Sequence, residues 1–216
     1  MEDGPRDGAW NMAVDEVLLG EVMGAVEPVL RLYQWSAPSV SFGYFASHKE
    51  VRALHPACAL VRRWTGGGVV EHGNDLTYSL VVPRGAAFFE LAPLDGYRAI
   101  HAALGRVLDG LVAGVPSLAT EGSAGAGSAC FENPVRHDLL VGGSKVAGAA
   151  QRRTRGGLLH QGSIQVGLTE RDALWKRMGS ALAGVVEPLR WGAAQDDRSA
   201  ELVERKYGTA EWLERF

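Results

Sequence analysis

RRWTGGGVVEH, residues 62–72, sets two cations ahead of three consecutive glycines at the end of an apolar stretch, Cys58 to Trp64, that reads as a strand. Three glycines in a row cost backbone entropy, so the run needs a reason. Without Cβ atoms the chain adopts left-handed conformations and lets a ligand lie against its N–H groups. The segment therefore reads as a substrate-covering loop, with an ordinary turn and solvated arginines as the plainer alternative. Arg62, Arg63, Gly66, Gly67, Gly68 and His72 are its candidate binding residues.

Outward from this segment the chain divides into stretches of helical and of strand pattern. Met12, Val14, Val17, Leu18 and Leu19 recur at helical spacing over Asn11–Val22, with Asp7 as a nearby cap. Val29–Trp35 and Ser39–Tyr44 read as strands broken by Ala37 and Pro38, and Leu76–Val82 closes the bracket around the glycines. Tyr97–Val112 is an amphipathic helix carrying Ile100, Leu104, Val107, Leu108 and Leu111. His137–Val141, Lys145–Gln151 and Leu158–Val166 read as strands of a hairpin-rich sheet. Arg171–Leu182 and Asp197–Lys206 are helical, followed by a short Thr209–Phe216 tail. Hairpins grouped between helices, without strict βαβ alternation, predict an α+β fold.

The 216 residues are 46% hydrophobic with a formal charge of −3, and the pI is near 6.1. That length and composition suit a single compact domain over 1–216. The weakly acidic balance argues against nucleic acid as a partner. MEDGPRDGAW lacks the cationic and apolar pattern of a secretory signal, and no apolar run approaches the roughly 18 residues of a bilayer span. Cys58 and Cys130 are too few for a disulfide framework and fit a reducing cytoplasm. Cys58, in PACALV, reads as a packed small hydrophobe. EGSAGAGS, residues 121–128, has the composition of a flexible linker and reads as a mobile loop leading to Cys130. No group of His, Cys, Asp and Glu has metal-ligand spacing.

Three segments taken together carry a family resemblance: RRWTGGGVVEH (62–72), GGSKVAGAAQRR (142–153) and LLHQGSI (158–164). In that order and spacing, and over most of the chain from NMAVDEVLL (11–19) to QGSIQVGL (161–168), the sequence resembles the biotin/lipoate protein ligase and octanoyltransferase superfamily. The resemblance implies a mixed, largely antiparallel sheet flanked by helices, the fold shared with biotin ligases and class II aminoacyl-tRNA synthetases. It implies attachment of an octanoyl or lipoyl group to a lysine of a lipoyl domain or of the glycine-cleavage H protein. An eight-carbon chain needs a narrow apolar tunnel, which at about 0.8 kcal/mol per buried methylene supplies several kcal/mol. Gly66–Gly68 and Ala147–Ala150 let backbones approach such a chain, although Ala147–Ala150 also reads as a tightly packed strand.

Lys145 stands in a small, apolar, alternating segment where a lysine on the inward face is costly without a purpose. In the family the lysine of Lys-x-x-Gly points into the acyl site, which implies a role for Lys145 in polarising the carbonyl and stabilising an oxyanion, with N–H groups near Gly148 and Ala149. Cys130 and Phe131 match the Cys-Phe pair of the cysteine-type transferases, which implies Cys130 as nucleophile; a nearby cation favours its thiolate. His72 and His160 are motif positions expected to organise the pocket by hydrogen bonding. Arg152, Arg153 and Arg155 read either as a face for acidic carrier proteins or as a solvated hairpin.

HGNDLTYSL resembles the transferase version of its region, with Gly73 where ligases carry aspartate, and the chain ends before the carboxyl-terminal lobe of many ligases. Gly68 leans toward the ligases, because the cysteine-type transferases often carry arginine there. The expected activity is transfer of octanoyl from acyl carrier protein without a cofactor; an ATP-dependent ligase using magnesium is the alternative, and a non-catalytic acyl-binding protein a second. An opening strand, usual in the family, is expected to be missing or supplied differently.

Overall fold

The structure is a computed structural model that describes residues 1, 3–121, 133–165, 171–183 and 185–216, with side chains at 171–173 and 175 left aside. Cys130, Phe131, residues 122–128 of the small-residue stretch and the end of the last expected strand lie outside them.

The chain opens with α1 (Gly8–Glu21), capped as expected when Asp7 accepts from the Trp10 N–H at 2.8 Å. There follow β1 (Val29–Tyr33), β2 (Ser39–Phe42), α2 (His48–Leu54), β3 (Ala59–Arg62), β4 (Val69–His72), β5 (Leu76–Pro83), α3 (Ala87–Glu90) and α4 (Pro93–Leu108). The rest is β6 (Pro116–Leu118), β7 (Leu139–Val141), β8 (Ser144–Arg153), β9 (Gly157–Ile164), α5 (Arg171–Leu182), α6 (Ala193–Leu202), a five-residue π-helical turn (Val203–Tyr207) and α7 (Ala210–Leu213). Every long expected element is present. The unexpected ones are short: α2 buries only Val51, and β4 begins directly after the glycines, where the sequence suggests a continuing loop.

A six-stranded antiparallel sheet runs β1-β5-β9-β8-β7-β6, and a three-stranded one runs β3-β2-β4 with β2 and β3 parallel. The mixed, largely antiparallel α+β arrangement is as predicted. The edge expected to be missing or supplied differently is lined by residues 1, 3 and 6: Met1 and Asp3 exchange backbone hydrogen bonds with Leu32, and Arg6 bridges to Trp35 in parallel.

One core lies between the large sheet and α4 with α5, built from Tyr78, Ile100, Leu104, Leu139, Leu158 and Met178. A second joins α1 to both sheets through Met12, Tyr33, Trp35, Val61 and Trp212. At their junction sits a buried ionic network in which Arg31 donates to Asp15 at 2.7 Å and to Asn11 at 2.8 Å. Asp15 also accepts from Ser79 and from Gln161, at 2.6 and 2.7 Å. Buried charges are tolerated only when paired and hydrogen-bonded in this way, and the network fixes α1 against the strands that floor the site. Cys58 packs, as expected, against the Val40, Phe42 and Val51 cluster.

Candidate active site

The glycine run forms the bridge between β3 and β4. Gly67 has φ +84°, which strains any residue with a Cβ. The loop passes directly over Gly43, just past β2: a Cβ there would fall 1.9 Å from the Gly67 carbonyl oxygen. Thr65, at the loop's start, donates to Gln161 at 2.7 Å, and Gln161 donates on to Asp15. Arg63 reaches back across the loop, donating to the Gly66 and Gly68 carbonyls at 3.1 and 2.8 Å and to Ser41 Oγ at 2.7 Å. It therefore holds the loop. Arg62 turns the other way. Fully buried, it donates to the carbonyls of Tyr44, Ala46, Trp212 and Leu213, and ties α7 to the small sheet outside the pocket.

Between this loop and β8 lies a pocket of about 570 Å³ when its open mouth is counted. Gly67, Gly68, Val69 and Val70 form one wall, and Lys145, Gly148, Ala149 and Ala150 the facing one. Met12, Tyr33 and Trp35 contribute apolar surface, and Ser41, Arg63, His72, Thr77, Gln161 and Ser163 a polar group. The walls nearly touch, because a Cβ on Gly67 would lie 3.3 Å from that of Ala150. Of the sequence-predicted residues, Arg63, Gly67, Gly68, His72, Lys145, Gly148 and Ala149 line this pocket, whereas Arg62, Gly66 and His160 do not. Cys130 lies outside the described residues. The chain on either side of it is drawn together: Ala119 exchanges backbone bonds with His137 and Asp138, and Arg136 pairs with Glu121 at 2.7 Å.

The Lys-x-x-Gly spacing acquires a steric meaning here. A Cβ on Gly148 would lie 2.5 Å from Lys145 Cε and 2.8 Å from its Nζ. The lysine side chain thus lies flat across the glycine, at the pocket wall. Its Nζ pairs with Asp138 Oδ2 at 2.8 Å; Asp138 is fully buried, and the lysine side chain is 10% exposed. Tyr97, on α4, donates to Asp138 Oδ1 at 2.5 Å and accepts from the Ala149 N–H at 2.8 Å. That N–H, suggested by the sequence as an oxyanion donor, is committed to Tyr97. Burial and then the Asp138 charge push the Tyr97 phenol far above its ordinary range, so it stays protonated.

His72 connects the opposite wall. It donates from Nδ1 to Asp75 at 2.7 Å, and Ser41 donates to its Nε2 at 2.7 Å, while its ring stacks on Trp35 at 3.9 Å. Burial lowers its pKa despite the Asp75 hydrogen bond, leaving the imidazole neutral near pH 7. Burial alone would raise Asp75, but hydrogen bonds from His72, Ser163 and Gly73 hold it below the usual carboxylate range. His160, also buried and neutral, bonds Tyr78 and Gln151 behind β9. It organises the core beside the pocket rather than the pocket itself.

Sequence reasoning missed Gly43, Ser41, Asp75, Tyr97, Gln161 and Asp138. Two carried a usable signal: Asp75 and Asp138 each stand immediately before a buried apolar strand, in NDLTYSL and HDLLV, where an unpaired charge is costly. Two members of the arginine run are half-buried and held, whereas Arg155 is exposed. Arg152 donates to the Trp64 carbonyl with its guanidinium 4.5 Å from the Trp64 ring centroid, and Arg153 donates to the Leu91 carbonyl at 2.7 Å.

The sequence pattern of the lipoyl protein ligase A/B catalytic domain matches residues 7–186. The chain belongs to that family. Among relatives of this lipoyl ligase family, the octanoyltransferase LipM of Oceanobacillus iheyensis is 36% identical over 173 residues, covering 78% of this chain and 63% of its own. The octanoyltransferase LipM of Kyrpidia tusciae is 38% identical over 186 residues, covering 78% and 65%. The chain thus spans just under two thirds of the length of these relatives. Among solved structures, a putative lipoate protein ligase from T. acidophilum superimposes with a TM-score of 0.78 at 21% identity, over 100% of this chain and 97% of its own. A lipoate-protein ligase A bound with ATP gives 0.76 at 22%, over 99% and 96%. At that identity these two establish the fold alone.

Proposed function

We propose that this protein is an octanoyltransferase of lipoate assembly, moving an octanoyl group from acyl carrier protein to a lysine of a lipoyl domain or of the glycine-cleavage H protein. The observation that carries the reading is the Lys145 ammonium laid over Gly148 at the wall of a largely apolar pocket. The relatives named octanoyltransferase support the same reading. The Cys130 thiolate adds to the donor thioester carbonyl to give a tetrahedral oxyanion; its collapse breaks the old C–S bond and releases the carrier thiolate, which takes up the proton that Cys130 gave up. The acceptor lysine, as the free amine, then attacks the acyl-enzyme, forming an amide and returning Cys130 with the amine's proton. Lys145 stabilises the oxyanion of both tetrahedral intermediates as a charged donor at the pocket wall. The scheme uses no nucleotide, metal or other cofactor, and it places the enzyme in the cytoplasm with its carrier-protein substrates. Arg155, exposed at the turn between β8 and β9, is the member of the arginine run open to an acidic carrier, with Arg152 and Arg153 adding positive charge beside it.

Gly68 favours a second reading, an ATP-dependent lipoate or octanoate ligase using magnesium, since it lines the pocket where cysteine-type transferases often carry arginine. Intact-mass spectrometry separates the two. Incubation with octanoyl-carrier protein is expected to add one octanoyl group, about 126 Da, to wild type and nothing to Cys130→Ala. Labelling of an added lipoyl domain from free octanoate and ATP that survives Cys130→Ala would replace the transferase with the ligase. No labelling of either the folded enzyme or the added lipoyl domain, under either condition, would leave an acyl-binding protein.

A further inference from the structure

Resting on the acyltransferase reading for its catalytic consequence, we propose that Asp138 and Tyr97 are positioning residues that fix the Lys145 ammonium at the pocket wall.

Asp138 is held from several directions before it meets the lysine. Its Oδ2 accepts the Val135 N–H at 2.8 Å, its backbone N–H donates to the Val135 carbonyl at 2.9 Å, and its carbonyl accepts from Ala119 at 2.8 Å. The preceding residue, His137, sits at φ +72°, an uncommon conformation for a residue with a side chain. It persists because His137 donates to the Ala119 carbonyl and accepts from His101 Nδ1, both at 2.8 Å. A backbone constrained in this way aims the carboxylate inward and leaves it no water. A buried carboxylate calls for charged and polar partners, and Lys145 and Tyr97 supply them.

Tyr97 completes the frame. Its hydroxyl bonds Asp138 Oδ1 on one side and the Ala149 N–H on the other. The carboxylate is thereby indexed to β8, the same strand that carries Lys145 and Gly148. Lysine is a compact charge on a flexible stem with substantial rotamer entropy. Laid over Gly148 and drawn to a carboxylate registered to its own strand, it loses that freedom before substrate arrives. An ammonium has three donors in fixed relation, so directing one at Asp138 orients the others. Preorganisation of a donor toward the developing oxyanion is where such groups gain their catalytic effect.

Single-turnover octanoyl transfer from acyl carrier protein, with variants of unchanged near-UV circular dichroism, tests this by a double-mutant cycle. Asp138→Asn, which keeps shape and removes charge, is expected to slow transfer about thirtyfold, and Tyr97→Phe about fivefold, with donor KM moving less than about twofold. In a Lys145→Met background neither is expected to add more than about twofold. Asp138→Glu, restoring the charge, is expected to recover part of the loss. Full multiplication of either effect onto Lys145→Met would overturn the proposal. A second measurement needs no turnover. The sequence holds four lysines, Lys49, Lys145, Lys176 and Lys206, so 13Cε relaxation of lysine-labelled protein resolves Lys145 individually. It is expected to be ordered in wild type and released in both Asp138→Asn and Tyr97→Phe; equal order in all three would also overturn the proposal. Ordering that depends on both residues in a wild type that transfers no octanoyl would sustain the positioning and remove the acyltransferase reading.

Discussion

The two motifs that face each other across the pocket look alike in sequence, a cation near glycines, yet they use the combination in opposite ways. In residues 62–68 the arginines serve the glycines: Arg63 bonds two carbonyls of the loop, and Arg62 is buried among carbonyls of β2's far end and α7. In residues 145–148 the glycine serves the cation, because the absent Cβ is the space Lys145 occupies. Guanidinium suits the first task, with five donors in a planar fork for several carbonyls at once. Ammonium suits the second, as a movable point charge. One wall is a cation spent on the fold, the other a cation held at the pocket.

Substitutions on the two walls should therefore separate stability from rate. The largest loss of stability is expected from Arg62→Ala, about 4 kcal/mol, because it leaves several buried carbonyls unpaired. Once corrected for folded fraction, its transfer rate should stay within about threefold of wild type. Urea denaturation with parallel activity measurements checks both; a stable but slow Arg62→Ala would return that arginine to the site.

Gly43→Ala comes next. Its new methyl would meet backbone on both near contacts, the Gly67 oxygen at 1.9 Å and the Gly66 carbonyl carbon at 2.8 Å, and backbone yields less readily than a side-chain tip. We expect about 3 kcal/mol of destabilisation, the upper part of the range for overpacking, read as a fall in the urea midpoint.

A smaller, pH-dependent effect belongs to the floor behind Lys145. Burial lowers the His101 pKa from 6.5 to about 4, so the unfolded chain binds a proton that the native chain refuses in that window. Stability should therefore fall as pH drops from about 6.5 to about 4 and not change further from this group below that, a loss of about 3 kcal/mol at most. His101→Leu should flatten part of the acid slope, the neutral buried His72 and His160 accounting for the rest. An unaltered slope would mean that His101 is protonated in the folded state.

Sequence and structure agree where the signal is local. The amphipathic α4, the Asp7 cap and the strands around the glycines follow from periodicity and turn chemistry, and Lys145 stood out as a charge in an apolar strand. What escaped notice depends on register between distant segments. Gly43 is an unremarkable glycine in SFGYF until β2 and the glycine loop are stacked, and Tyr97 reads as one more aromatic on a helix until α4 is laid against β8. Arg62 and Arg63 are adjacent in the chain, and only the departure of β3 into the loop sends one into the core and the other across the glycines.

The contrast between the walls rests most directly on Gly148→Ala. The added methyl meets mainly the far end of a flexible side chain, Lys145 Cε at 2.5 Å and Nζ at 2.8 Å, so the strand can keep its place while the lysine is displaced. The single measurement is the octanoyl-transfer rate of this variant beside its thermal midpoint. The account predicts a protein that stays folded with a lowered midpoint, about 3 kcal/mol at most because Lys145 is parted from the buried Asp138, and a rate per folded molecule at least about tenfold lower. A wild-type rate at an unchanged midpoint would contradict it, since Lys145 would then have no need of the space that Gly148 leaves.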